Sequence, residues 1–110
     1  MADFLDLPGP IAAYFAADQR DGGAVAGCFS TDGIVKDEGR TYAGSAAIKR
    51  WREEAAAKYT YSVVPFALQE KDGRVVVTSR VTGNFPGGQV ELRYAFKLDR
   101  SKIGSLEITS

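Results

Sequence analysis

The sequence predicts an α+β fold, with three N-terminal helices packed on a strongly curved, mostly antiparallel sheet. Three observations carry this. Apolar residues recur at helical spacing through most of the first half, and they alternate with polar residues from about position 59 onward. Tight turn signals, rather than further helices, join the later segments. The chain has 110 residues, 45% of them hydrophobic. That is enough for a single domain over 1–110, with one core and no need of disulfide staples.

Each element has a local reason. Leu7-Pro8-Gly9-Pro10 is a turn, and the spacing of Ile11, Tyr14 and Phe15 puts an apolar stripe on one face of the helix that follows. Pro10 suits a first helical turn, where its missing N–H costs nothing. Asp21-Gly22-Gly23 should end that helix. A shorter one over 24–29 would turn Val25, Cys28 and Phe29 inward, and Ser30-Thr31-Asp32-Gly33 reads as a break. Residues 33–37 form a short strand, turned by Glu38-Gly39-Arg40 toward a small partner at Thr41-Tyr42. A third helix opens at Gly44-Ser45, with Ser45 as the expected N-cap, and runs to about Lys58. Along it Ile48, Trp51, Arg52 and Ala55 share a side, while Lys49, Arg50, Glu53 and Glu54 supply solvated charge.

Four strands should follow, at 59–70, 74–85, 89–99 and 103–109. Lys71-Asp72-Gly73 carries an Asp-Gly hairpin signal between the first two. The third alternates cleanly: Val90, Leu92, Tyr94, Phe96 and Leu98 face one way, and Gln89, Glu91, Arg93 and Lys97 the other.

Composition removes whole classes of chemistry. Fourteen basic residues balance 14 acidic ones, so no net field favours nucleic acid or an anionic membrane. The chain has no histidine and one cysteine, which excludes Ser-His-Asp and Cys-His nucleophiles, His-containing zinc sites and an intrachain disulfide. No apolar run approaches bilayer-spanning length, so a soluble cytoplasmic protein is expected. Chemistry here has to come from carboxylates, phenols, basic side chains or backbone.

The order of these elements and their residues resembles the nuclear transport factor 2-like superfamily, above all its SnoaL-like and ketosteroid-isomerase-like branch. The likeness rests on Ile11, Tyr14 and Phe15; on the run Cys28-Phe29-Ser30-Thr31-Asp32-Gly33; and on Val35-Lys36-Asp37. It continues through Tyr42-Ala43-Gly44, Ala47-Ile48, Trp51 and Lys102-Ile103 onward, covering nearly the whole chain. The resemblance implies a cystatin-like, cone-shaped α+β barrel with a deep apolar pocket between helices and concave sheet. It also implies homodimers through the outer sheet face, an apolar small-molecule ligand and no cofactor. The superfold hosts isomerases, cyclases, dehydratases, hydrolases and non-enzymes alike.

Asp37 is the first candidate for catalysis. It ends a short strand and shares a face with Val35 by period two, so an inward Val35 brings Asp37 into the pocket. A carboxylate among apolar groups holds its proton more tightly and becomes a better general base. The competing reading is a strand-end carboxylate in water. In the resembling isomerases an aspartate at the matching place shuttles a proton between carbons. Tyr14 falls on their helix-borne tyrosine, which donates to the developing enolate; otherwise it is a core aromatic. Tyr94 stands where those isomerases carry a second, protonated acid, and Glu38-Gly39 follows where a proline is frequent, so two elements of that pattern are changed.

Phe29, Val35, Ile48, Trp51, Phe66, Leu92 and Leu106 are the expected ligand-contacting residues, against a plain core role. Arg80, Arg93, Glu91 and Glu107 raise an Asp-Arg-Asp hydrolase idea, but alternation turns Glu91 and Arg93 away from Tyr94, toward solvent or a dimer partner. Three functions remain open. One is an isomerase-, cyclase- or dehydratase-like enzyme acting on an apolar carbonyl compound. The others are a non-catalytic binder of an apolar ligand and a structural dimerisation module.

Overall fold

The computed structural model describes residues 5–110. Helices α1 (Gly9–Asp18), α2 (Gly22–Ala26) and α3 (Ser45–Lys58) pack on a six-stranded sheet. Its strands are β1 (Phe29–Asp37), β2 (Arg40–Ala43), β3 (Tyr61–Lys71), β4 (Arg74–Gly83), β5 (Gln89–Asp99) and β6 (Lys102–Thr109), in the order β2-β1-β6-β5-β4-β3. Every neighbouring pair is antiparallel except β1 with β6. The last strand therefore closes against the first, joining the β1–β2 hairpin to the β3–β6 meander.

Local chemistry explains the ends of the elements. Asp21 caps α2, its Oδ1 accepting the Ala24 N–H at 2.8 Å; it starts this helix rather than merely ending α1. Helix α2 spans 22–26, so Phe29 belongs to β1 instead. The expected break at Ser30-Thr31-Asp32-Gly33 lies inside β1, as a register shift between Phe29 and Ile34 against β6. Turn-forming residues there make an irregular strand because β6 holds the chain on both sides of them, at Phe29 and from Ile34 onward. The N-cap of α3 is Gly44, at φ 89°, with Ser45 already helical. A positive φ suits glycine, so the cap falls one residue earlier than expected. Glu38-Gly39 and Asp72-Gly73 both adopt paired positive φ values, the hairpin turns whose twist matches the flanking strands.

The core lies between the helices and the concave face. Ile11, Tyr14, Val25, Phe29, Val35, Ile48, Val77, Phe96, Ile103 and Leu106 are buried in it. Helices α2 and α3 meet closely at Gly22, where a Cβ would lie 2.6 Å from the Lys49 carbonyl oxygen. Among the described residues no helix is long and apolar enough to cross a membrane.

Candidate functional site

Sheet register brings the chemistry to one end of the cone. Asp37 pairs with Ile108 across β1–β6, and Ile108 with Tyr94 across β6–β5. Directly opposed residues share a face, so Asp37 and Tyr94 point the same way two strands apart, about 10 Å at the backbone. Helix α1 lays Tyr14 and Asp18 over that face at i and i+4, and α3 contributes Trp51, Arg52 and Ala55. These residues line a cavity of about 650 Å³, closed further by Tyr59, Tyr61, Leu92 and the Phe85-Pro86 loop. That volume suits a small organic molecule.

Asp37 is half-buried at the rim. Trp51 Nε1–H donates to its Oδ2 at 3.1 Å. Burial raises its proton affinity above that of an ordinary aspartate; the Trp51 bond opposes this, and the adjacent Glu38 charge adds to it. The net direction is up. No ion pair engages Asp37 among the described residues.

Tyr14 and Tyr94 are buried, with ring centroids 6.3 Å apart, and both face the cavity. Burial pushes both hydroxyls up, so each stays a neutral donor over the working pH range. Neither hydroxyl is fully buried without a partner; Ser79 Oγ is the one such side-chain atom among the described residues. The two rings stand at an angle to each other and to Phe15; Tyr14 meets Phe96 edge-on, and Tyr94 stacks nearly parallel to Phe96, an arrangement that holds them rigidly.

The expected contact residues divide. Trp51 and Leu92 line the cavity. Phe29, Val35, Ile48 and Leu106 lie in the core behind it. Phe66 is not brought to the cavity: it sits at the register shift between Pro65 and Ala67, is 45% exposed, and lies under the Arg80 guanidinium at 5.4 Å. The shift at Pro65, which has no ladder N–H to give, turns Phe66 to the outside. On that outer surface Arg80 pairs with Glu91 at 3.6 Å, and Arg74 with Glu107 at 3.3 Å. These four groups are exposed and assemble no relay in the cavity.

The cavity residues that carry no role in the sequence reading include Asp18, Arg52 and Tyr61. Arg52 Nε donates to Asp18 Oδ1 at 2.6 Å, and its Nη2 donates to the Asp18 carbonyl oxygen at the end of α1. The Arg52 guanidinium also lies over the Tyr61 ring at 5.5 Å. A signal was present. An arginine on the same helical side as Ile48, Trp51 and Ala55 demands a buried partner, and Asp18 lies one turn beyond Tyr14 on the face that α1 turns inward.

Comparison with known proteins agrees with this architecture. A candidate polyketide cyclase from Sinorhizobium meliloti is 35% identical, with a TM-score of 0.87 over 94% of this chain and 95% of that one. A Catenulispora acidiphila protein of ketosteroid isomerase-like fold, in complex with trimethylamine, superposes with a TM-score of 0.85 at 19% identity, over 96% of this chain and 87% of that one. The epoxide hydrolase/cyclase-like enzyme SalBIII, of pyran ring formation in salinomycin, gives 0.74 at 18% identity over 90% and 85% of the two chains. No family model and no curated protein sequence matches significantly. Helix order, sheet order and the full-length likeness at 35% identity lead to one conclusion: the chain belongs to the nuclear transport factor 2-like superfamily, in its SnoaL-like, ketosteroid-isomerase-like branch.

Proposed function

We propose that this protein holds a small, apolar, enolisable carbonyl compound in the cavity and moves a proton on it without a cofactor. The observation that carries the reading is Asp37, a carboxylate of raised proton affinity with no cationic partner among the described residues. It faces a cavity that also holds two buried phenols. In the proposed step Asp37 removes a proton from the carbon next to the carbonyl. The C–H bond breaks, an O–H bond forms on Asp37, and the electron pair moves to the carbonyl oxygen. Tyr14 and Tyr94 donate to the resulting enolate, and preorganised donors of this kind stabilise charge only as it develops. Return of the proton at another carbon isomerises the compound; attack of the enolate carbon on an electrophile in the same molecule closes a ring.

The test needs no natural substrate. Exchange of the α-protons of 2-tetralone with deuterated water, followed by NMR, should fall by about 10²–10⁴-fold in Asp37→Asn. The same variant should bind 2-naphthol, an enolate mimic, at least about tenfold tighter than the wild type, because a like charge facing the ligand oxyanion is gone. Trp51, the single tryptophan, reports the binding by fluorescence. The two proteins should converge as pH falls through the raised Asp37 pKa, where the wild-type carboxyl is also neutral. Binding without exchange in the wild type would reduce the protein to a carrier; binding indifferent to Asp37 at every pH would remove the carboxylate from the site.

A separate feature favours self-association. Val64 and Phe66 are 58% and 45% exposed on the outer sheet face, beside the opposed charges of Arg80 and Glu91. We propose that two copies meet here, an apolar centre flanked by charges that can cross-pair under two-fold symmetry. Sedimentation should show a dimer in the wild type and a monomer in Val64→Lys/Phe66→Lys. A wild-type monomer at high protein concentration would exclude the interface.

A further inference from the structure

The cavity contains a second ionic group, which forms no ion pair with Asp37. The Arg52 and Asp18 side chains are only 12% and 11% exposed, yet both line the cavity. Nε and Nη2 are committed to Asp18. Nη1 has no protein acceptor among the described residues and is not fully buried. A guanidinium is a rigid fork, so a clamp on two nitrogens fixes where the third points.

Charge placement makes this useful. Burial and the Asp18 charge raise the proton affinities of Tyr14 and Tyr61 and Arg52 lowers them, so the two partners act on these phenols in opposite directions, whereas Asp37 responds to burial, Trp51 and Glu38. Enolisation carries a negative charge from Asp37 to the carbonyl oxygen. A guanidinium nitrogen that donates to the carbonyl oxygen as charge arrives there stabilises the product of that transfer over its starting point.

We propose that Arg52, held by Asp18, is a third donor on the oxyanion side of the cavity, and that the ligands are compounds that carry an anionic oxygen once their proton has moved to Asp37: 1,3-dicarbonyl compounds, which become enolates in the site, or acidic phenols, which become phenolates. This rests on the reading of Asp37 as the base. Asp18 is then a positioning residue with two opposed effects. It fixes the guanidinium, and its own charge partly cancels that of Arg52.

Opposite outcomes follow for the two partners. The probes are 4-nitrophenol, whose phenolate is read directly by its absorbance, and 4-nitroanisole, a neutral analogue that cannot ionise. In the Asp37→Asn background, nitrophenol should bind as phenolate at least about tenfold tighter than nitroanisole. Adding Asp18→Asn, which retains an acceptor for Arg52 but removes the opposing charge, should raise the bound phenolate fraction and tighten binding several-fold. Adding Asp18→Asn together with Arg52→Gln, a neutral pair that leaves no buried charge unpaired, should bring the two probes within about twofold of each other. If this last protein fails to fold, Arg52→Lys replaces it; its ammonium is engaged by Asp18, offers no fork to the ligand, and should show the same loss.

An ion pair that only ties α1 to α3 would change melting temperature in these variants and leave the phenolate fraction where it was, which would overturn the proposal. Nitrophenol affinity that responds to Asp37 but not to Arg52 overturns this inference alone. Affinity indifferent to Asp37 overturns the proton-transfer reading, and this one with it.

Discussion

Arg52→Ala is expected to destabilise the fold by about 3–5 kcal/mol, because it leaves the Asp18 carboxylate buried without its counter-charge. The geometry leaves little room for relief. The pair is bonded at 2.6 Å, and both side chains are about nine-tenths covered. Arg52 also satisfies the Asp18 carbonyl at the last turn of α1, an acceptor that the helix itself cannot pair. Burial already pulls the Asp18 proton affinity upward against the guanidinium, so removing the guanidinium releases the carboxyl to protonate. The loss should therefore be greatest at neutral pH and above, and smaller in acid, where a neutral Asp18 costs less. Urea unfolding between acid and neutral pH reads both. Asp18→Leu/Arg52→Met, which replaces the pair by apolar groups, should restore most of the lost stability, because the desolvation cost disappears with the charges. Equal losses in the single and double variants would mean that the pair is held by solvent rather than by burial.

Phe96→Ala should cost about as much, roughly 3–5 kcal/mol, for a different reason. Phe96 is fully buried at the centre of β5, with its ring 5.4 Å from Tyr14, 5.9 Å from Phe15 and 6.4 Å from Tyr94. Truncation removes the apolar contacts and leaves a void that the three packed aromatic neighbours cannot fill without tilting. For a domain of this size the melting temperature should fall by on the order of 10–20 °C. The same tilt would displace the two phenols that face the cavity, so 2-naphthol affinity should drop even in protein that remains folded. Phe96→Leu, which keeps most of the volume, should cost well under half as much and retain binding. A Phe96→Ala loss below about 1 kcal/mol would mean the aromatic cluster repacks freely, and that the phenol positions are less fixed than their ring geometry indicates.

Much of this architecture is written in periodicity. The β5 alternation of Leu92, Tyr94, Phe96 and Leu98 and the Asp72-Gly73 turn are local signals, and each element they define is present. So is the helical stripe of Ile11, Tyr14 and Phe15. The expected break at 30–33 was misread for a physical reason. Ser, Thr, Asp and Gly favour turns in an isolated peptide, but here β6 pairs with Phe29 before the run and with Ile34 after it, and the strand runs through with a shift in register. Phe66 was misplaced because counting back by two from Leu68, which faces the core, fails across the shift between Pro65 and Ala67.

By itself the sequence determined the element types and the absence of histidine and disulfide chemistry. It also placed Asp37 at a strand end and Tyr14 on the buried side of a helix. Those are properties of spacing and composition, which local physics reads directly. Only the tertiary structure decided that Asp37 and Tyr94 share one face two strands apart and that Trp51 donates to Asp37. It alone showed that Asp18 and Arg52, 34 positions apart, form a buried ion pair in the same cavity. Such juxtapositions depend on sheet register and on how two helices cross. A helix carries one stripe of inward residues, but which inward residue meets which is settled only when the α1 and α3 stripes are laid on the same concave sheet.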